Sequence, residues 1–298
     1  MKKMRISIVG LGSMGYGMAQ SLLKAGHAVQ GFDINPENTA RLVAEGGLAQ
    51  PLEKAMQDTD ILVVVVLNAH QTNEVLFGDN GWVARLGPSA TIISCATVAP
   101  EFARDAERRC GVFGIHYLDA PISGGAAKAA SGSLSIMAAG SGAAFEGAAP
   151  ALATMAEKLF RLGNEAGAGS AMKAVNQLLA GVHIAAMAEA LTFGMTQGVE
   201  PAKFVEVISQ CAGTSWMLEN RAPHIVEGDY TPRSSVDIWP KDLGIVLDIA
   251  KSAKFSAPLT AVAMQQFLAA SGSGLGGEDD AAVAKIYARN ACLDLPGV

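Results

Sequence analysis

Arg5 to Val9 reads as a short buried strand, and it runs directly into Gly10-Leu11-Gly12-Ser13-Met14-Gly15, which opens the helical pattern Met14 to Ala25 closed by Gly26. A GxGxxG between a strand and a helix is the context that gives the pattern meaning. Gly10 permits the tight turn, Gly12 lets the backbone approach a pyrophosphate, and Gly15 lets the helix pack closely on the strand. The helix N-terminus attracts the phosphates, so all six residues from Gly10 to Gly15, including Leu11, Ser13 and Met14, are expected to line a dinucleotide site. Ala28 to Asp33 reads as the second strand, and Asp33 ends it close to the ~20-residue spacing at which an acidic side chain meets the adenine ribose. Its charge repels a 2′-phosphate, and its neighbours Phe32 and Ile34 include no compensating arginine, so NAD is favoured over NADP. A second reading of Asp33 is that it only caps the Asn35-Pro36 turn.

Further strands are expected at Ile61 to Leu67, Thr91 to Cys95, His116 to Ala120 and Ser135 to Ala139, alternating with helical segments such as Pro36 to Glu45 and Pro100 to Cys110. That alternation implies an α/β fold with a doubly wound parallel sheet of Rossmann type. After about Gly163 the pattern changes to one long helix, Ser170 to Gln197, with Gly181 as a weak breaker, and no convincing strand follows. Helical patterns continue at Pro201 to Cys211, Trp216 to Ala222, Pro240 to Ala253 and Ala257 to Ala270, then a Gly/Ser-rich stretch and a last helix from Glu278 to Asn290. The 298 residues therefore divide into a nucleotide-binding domain, 1–164, and an all-helical domain, 165–298.

Half the residues are apolar and 17% are charged, which excludes a disordered chain. A formal net charge of −6 without a dense basic run argues against a nucleic-acid partner. Cys95, Cys110, Cys211 and Cys292 lie far apart, without metal-ligand or disulfide-framework spacing, so no metal is expected and a reducing cytoplasm fits. Met1 to Arg5 with Ile6 to Val9 imitates a signal peptide only until the glycines begin. The longest uninterrupted apolar run, Ile61 to Leu67, is far short of the ~20 residues that span a bilayer, so no membrane partner is expected.

Four later motifs carry polar groups to strand or helix ends. Thr97, in Ser94-Cys-Ala-Thr97-Val-Ala-Pro100, either caps the next helix or touches the nicotinamide. Asp119-Ala-Pro-Ile-Ser123-Gly124-Gly125 is either a glycine turn or a nest for a carboxylate. Lys173, Asn176 and Gln177 share one face of the long helix; Lys173 is either a solvated lysine or, if buried, the group that takes a hydroxyl proton during alcohol oxidation. Lys241, beside Pro240, opposes a helix macrodipole, which suggests a compensating anion, with Asp242 the simplest source. The five histidines show no ligand or triad spacing and are assigned no catalytic role.

In this order, the glycine fingerprint, Ser94 to Pro100, Asp119 to Gly125, Gly169 to Gln177 and Lys241-Asp242-Leu243 resemble the β-hydroxyacid dehydrogenases, the 3-hydroxyisobutyrate dehydrogenase-like family, over the whole chain. The resemblance implies that Lys173 is the catalytic acid/base and that Ser123, Gly124, Gly125 and Asn176, with Gln177, hold a small hydroxy acid. It also implies that Leu67, Thr97 and Lys241 join the glycine loop and Asp33 around NAD, that the site lies in the cleft between the domains, and that the chain forms a homodimer or homotetramer. The family's usual second amide after the lysine is Asn, where this chain has Gln177. Val175 to Ile184 looks most like the branch that oxidises L-threonate to its 2-oxo acid. The family also contains 3-hydroxyisobutyrate dehydrogenases and tartronate semialdehyde reductases. More distant readings are an imine reductase and a silent binding module; Lys173 weighs against both, since such relatives usually lack it.

Overall fold

The computed structural model describes residues 3–297, so Met1, Lys2 and Val298, including the start of the signal-like stretch, lie outside the described residues. The chain divides into two compact units, one ending at Lys173 and the other beginning at Ala174.

In the first unit β1 (Arg5–Val9) leads into α1 (Ser13–Lys24), β2 (Ala28–Phe32), α2 (Pro36–Ala44) and α3 (Leu52–Asp58). β3 (Ile61–Val64), α4 (Ala69–Phe77), β4 (Thr91–Ser94), α5 (Pro100–Gly111) and β5 (His116–Asp119) follow. The unit continues with β6 (Ile122–Ser123), α6 (Gly125–Ser131), β7 (Leu134–Ala139), α7 (Gly142–Met155) and β8 (Ala156–Gly163). The sheet order is β2-β1-β3-β4-β5-β7-β6, with β8 on β7. The pairs from β2 through β5 are parallel, whereas β7 runs antiparallel to β5 and β6. Both faces of the parallel part are covered, which explains the unbroken apolar run of β3: Ile61 and Val63 join one core with Ile6, Met18 and Leu22, and Leu62 and Val64 join another with Trp82 and Tyr117.

The sequence signal overran β3, because Val65 to Leu67 are apolar but already form the turn leading to α4. It carried no sign of β6, only two residues long, or of β8, whose exposed middle, Glu157 to Arg161, mixes charged and apolar residues and so shows no buried alternation.

α8 (Ala168–Thr196) begins in the first unit and continues as the longest helix of the second. Its buried residues Ile184, Met187 and Leu191 recur at helical spacing, while Met172, Val175, Leu179 and Phe193 are exposed. By length and composition alone α8 would pass for a membrane-crossing helix. α9 (Pro201–Ile208), α10 (Trp216–Glu227), α11 (Ile238–Ser252), α12 (Pro258–Ala270) and α13 (Ala284–Asn290) complete the unit. A side chain at Gly181 would stand 2.8 Å from Leu243 Cδ2 and 2.9 Å from Trp239 Cε3, so this glycine lets α8 and α11 approach rather than weakening the helix. α10 runs on through Pro223 to Glu227, and the last helix is shorter than expected because 280–283 form a tighter 3₁₀ turn. A buried ion pair and buried hydrogen bonds pin these helices: Arg221 Nε donates to Asp280 Oδ1 at 2.5 Å, Trp239 Nε1 donates to Asp280 Oδ2 at 3.0 Å, and His224 Nδ1 lies 2.8 Å from Asp279 Oδ1.

Candidate active site

The register of the parallel strands sets Val9 beside Phe32 and Val64, Val64 beside Ser94, and Ser94 beside Asp119. These five residues form one row at the carboxyl ends of the strands. The glycine loop, Asp33, Leu67, Thr97 and Ser123 all follow that row in sequence, and the strand order reverses between β1 and β3, where open α/β sheets bind ligands.

Gly10 has φ +94°, and a Cβ there would lie 2.1 Å from the Val65 carbonyl oxygen; a Cβ at Gly15 would lie 1.9 Å from the Gly10 carbonyl oxygen. Both glycines are demanded by the protein's own backbone. Gly12 differs: a Cβ at that position would meet no atom within 4 Å, so its lack of a side chain leaves open space against the loop. Gly12 is also the N-cap of α1, without a capping side chain, and no acidic residue stands in the first helical turn. This bare, positive helix end beside open space fits the pyrophosphate of NAD. Asp33 Oδ2 accepts from Leu11 N at 2.6 Å and its Oδ1 accepts from Asn35 N at 2.8 Å. The turn reading of Asp33 is seen directly in the bond from Asn35 N, and a carboxylate with about four lone-pair sites keeps acceptor capacity beside these two bonds.

Thr97 does not cap α5; Ala99 is the N-cap and makes no side-chain bond, so that reading is corrected. The cause is Pro100, which starts the helix two residues later than a Thr97 cap requires and needs no N–H partner. Thr97 is half-buried and Leu67 is half-exposed, both in turns that leave strand ends.

Gly124 (φ +137°) and Gly125 (φ +77°) both adopt backbone conformations that disfavour other residues, immediately after Ser123. Three residues upstream of Ile122 lies Asp119, a buried carboxylate. Its Oδ2 accepts from Gly167 N and Ser170 N, each at 2.8 Å, and its Oδ1 from Ser170 Oγ at 2.7 Å. Burial pushes the Asp119 carboxyl above its ordinary range, against the pull of these donors at the α8 N-terminus. Burial, and then the nearby Asp119 charge, push the Cys95 thiol up to about 12, which makes it inert as a nucleophile. One turn beyond Ser170, Lys173 is only 8% exposed, and its Nζ donates to the Ile122 carbonyl at 2.9 Å. The structure therefore brings Lys173 to the strand that carries Ser123. Asp119 as the distant cap of α8 was missed in the sequence; the sign of it was a long helix opening on Gly167-Ala-Gly169 with no local capping side chain.

In the second unit Lys241 Nζ pairs with Asp242 Oδ1 at 2.7 Å, which is the compensation expected beside the helix start. Asp242, 2% exposed, also accepts from Gln177 Nε2 at 2.5 Å, and Gln177 Oε1 accepts from Asn176 Nδ2 at 2.9 Å. Gln177 is thus buried in a polar chain, while Asn176 is half-buried.

Residues 5–163 match the family described as the NAD binding domain of 6-phosphogluconate dehydrogenase, and residues 167–287 match the NAD-binding family of NADP-dependent 3-hydroxyisobutyrate dehydrogenase. The chain is similar to L-threonate dehydrogenase of Cupriavidus necator, at 50% identity over 98% of both chains. It is similar also to 3-hydroxyisobutyrate dehydrogenase of Pseudomonas aeruginosa, at 38% identity over 88% of this chain and 90% of that one. Among solved structures, one described as 3-hydroxyisobutyrate dehydrogenase from Salmonella typhimurium superposes with a TM-score of 0.89 at 44% identity, over 94% of this chain and 99% of the other.

Proposed function

The chain belongs to the 3-hydroxyisobutyrate dehydrogenase-like family of β-hydroxyacid dehydrogenases and is an NAD-dependent oxidoreductase, and from that premise we propose that it oxidises L-threonate to the 2-oxo acid with Lys173 as acid/base. The observation that carries this reading is the buried amino group of Lys173, held 2.9 Å from the Ile122 carbonyl beside Ser123 and the paired glycines. NAD, when bound, supplies the hydride acceptor. Gly10 to Gly15, Leu67, Thr97 and Lys241 hold that cofactor, with Asp33 on its adenine ribose. Ser123, Gly124 and Gly125 grip the substrate carboxylate through a hydroxyl and backbone N–H groups, and Asn176, with Gln177 behind it, takes a further polar group.

In the oxidative direction Lys173 Nζ, as the neutral amine, takes the proton of the substrate hydroxyl, and in the reductive direction the ammonium returns it to the forming alcohol. The Ile122 carbonyl accepts from Nζ and holds it in place, and a peptide oxygen is far too weak a base to take the hydroxyl proton itself. Residues 1–164 serve as the cofactor domain and 165–298 as the substrate and oligomerisation domain. The exposed apolar residues Val175, Leu179 and Phe193 of α8 support a homodimer or homotetramer, to be checked by sedimentation. Four free cysteines, two of them exposed, support a cytoplasmic setting.

The 50% identity to a threonate enzyme and the Asn176-Gln177 amide pair favour a polyhydroxylated acid. The second reading, 3-hydroxyisobutyrate, is supported by the solved relative at 44% identity. Steady-state assays with NAD on L-threonate, 3-hydroxyisobutyrate and the tartronate semialdehyde couple separate them. L-threonate is expected to give the highest kcat/KM, and a higher value for 3-hydroxyisobutyrate overturns the substrate assignment.

A further inference from the structure

Asp242 fixes the orientation of two side-chain amides in series, and we propose that it thereby makes Asn176 present its carbonyl oxygen to the substrate, so that Asn176 reads a hydroxyl group as hydrogen donor. The inference rests on the proposed function above and assigns Gln177 and Asp242 as positioning residues rather than substrate contacts.

The series starts from a charge. Asp242 is 2% exposed, and Lys241 Nζ forms an ion pair with its Oδ1 at 2.7 Å, which leaves Oδ2 as the acceptor for a neighbouring donor. The group 2.5 Å from Oδ2 must then be a donor, which makes it the nitrogen of the Gln177 amide. Turning that amide over would set two acceptor oxygens against each other in a buried site with no proton between them. With its nitrogen committed to Asp242, Gln177 has its oxygen toward Asn176, and only a donor satisfies it: the Asn176 nitrogen, at 2.9 Å. Asn176 therefore turns its nitrogen inward, and its Oδ1 lies on the other arm of the planar amide. The usual Asn at position 177 is one methylene shorter than Gln, and the extra reach is what spans from α8 to Asp242 on α11.

The chemical consequence is selective. A carbonyl oxygen accepts a hydrogen from a hydroxyl and repels a carboxylate. In the proposed reaction the hydrogen of the reacting hydroxyl goes to Lys173, so the hydrogen that Asn176 accepts belongs to a second hydroxyl, the one on the carbon next to the reacting centre. L-threonate carries such a group, and the methyl substituent of 3-hydroxyisobutyrate does not.

Two measurements test this on the full-length protein. Neutron diffraction on the deuterium-exchanged, substrate-free protein locates the amide deuterons directly. Deuterons on the Gln177 atom facing Asp242, and on the Asn176 atom facing Gln177, are expected; a deuteron on Asp242 Oδ2, or either amide in the opposite sense, overturns the relay. The second compares kcat/KM for L-threonate with that for 2,4-dihydroxybutanoate, which lacks only the hydroxyl on carbon 3. The wild-type ratio is expected to be at least ~10-fold, the usual effect of leaving one desolvated polar group unpaired. Gln177→Leu and Asp242→Asn should bring the ratio to within about threefold of unity, with the loss falling on KM for L-threonate. Asn176→Asp, which keeps an acceptor and loses the donor, should keep the preference, since both acids carry the same carboxylate and its repulsion cancels in the ratio. A ratio unmoved in Gln177→Leu and Asp242→Asn, or lost in Asn176→Asp alone, overturns the reading of the hydroxyl. If neither acid is oxidised, the proposed function fails and the hydroxyl assignment with it, while the amide polarity still stands or falls on the neutron map.

Discussion

Lys173 lies at 8% exposure with its Nζ on the Ile122 carbonyl, a setting that orients the amine and limits the water around it. For the acid/base role proposed for it, such a group typically contributes ~10²- to 10⁴-fold, so Lys173→Ala should lower kcat by at least ~100-fold while NADH still binds, as followed by its fluorescence. Near-normal turnover in that variant would pass the proton to another group. Asp33 makes a different kind of contribution. Its carboxylate already accepts from Leu11 N and Asn35 N, and its remaining acceptor capacity suits a ribose diol while its charge opposes a 2′-phosphate. Wild type should therefore show a higher kcat/KM with NAD than with NADP, and Asp33→Ala should narrow the gap. An unchanged ratio in the variant would remove Asp33 from cofactor selection.

At the scale of elements, the position of α8 depends on a side chain 48 residues before its first capped N–H, since Asp119 at the end of β5 accepts from Gly167 N, Ser170 N and Ser170 Oγ. The carboxylate also faces the positive end of a 29-residue helix. Asp119→Ala leaves these donors without a partner in a buried place, and urea unfolding should show a loss of ~1–3 kcal/mol or more. Because Lys173 is one turn farther along, kcat should fall as well. Asp119→Asn should be milder on both measures, since its oxygen still serves the two backbone donors and the Ser170 hydroxyl can turn to accept from its nitrogen. Equal losses in the two variants would mean that charge, not acceptor geometry, holds the helix.

Across the whole molecule, folding depends on buried charges as well as on apolar cores. Burial opposes the Asp279 charge, but bonds from Arg233 N, His224 and Ala281 N outweigh it and hold the carboxyl below its ordinary 3.8. A carboxyl depressed in the folded state stabilises it at pH above the unfolded value and loses that contribution as pH falls through the lower, folded value. Asp279→Asn should therefore be the less stable protein at pH 7, with the gap to wild type closing as the pH drops below about 4 in urea titrations; a gap constant with pH would show that the charge contributes nothing. What the sequence by itself determined was whatever rests on neighbours along the chain: the strand, glycine loop and helix at Arg5 to Lys24, the alternation that makes a doubly wound sheet, and the change to helices after Gly163. Local sterics and hydrophobic period dictate these features, and both are written in consecutive residues. Tertiary structure decided the rest, because it depends on groups far apart in the chain. β8 exists only by pairing with β7, Gly181 is required only because Trp239 and Leu243 press against it, and Asp119 caps a helix from another element. The Gln177 amide donates to a buried carboxylate, Asp242, that stands 65 residues away, a partner that its neighbours along the chain do not reveal.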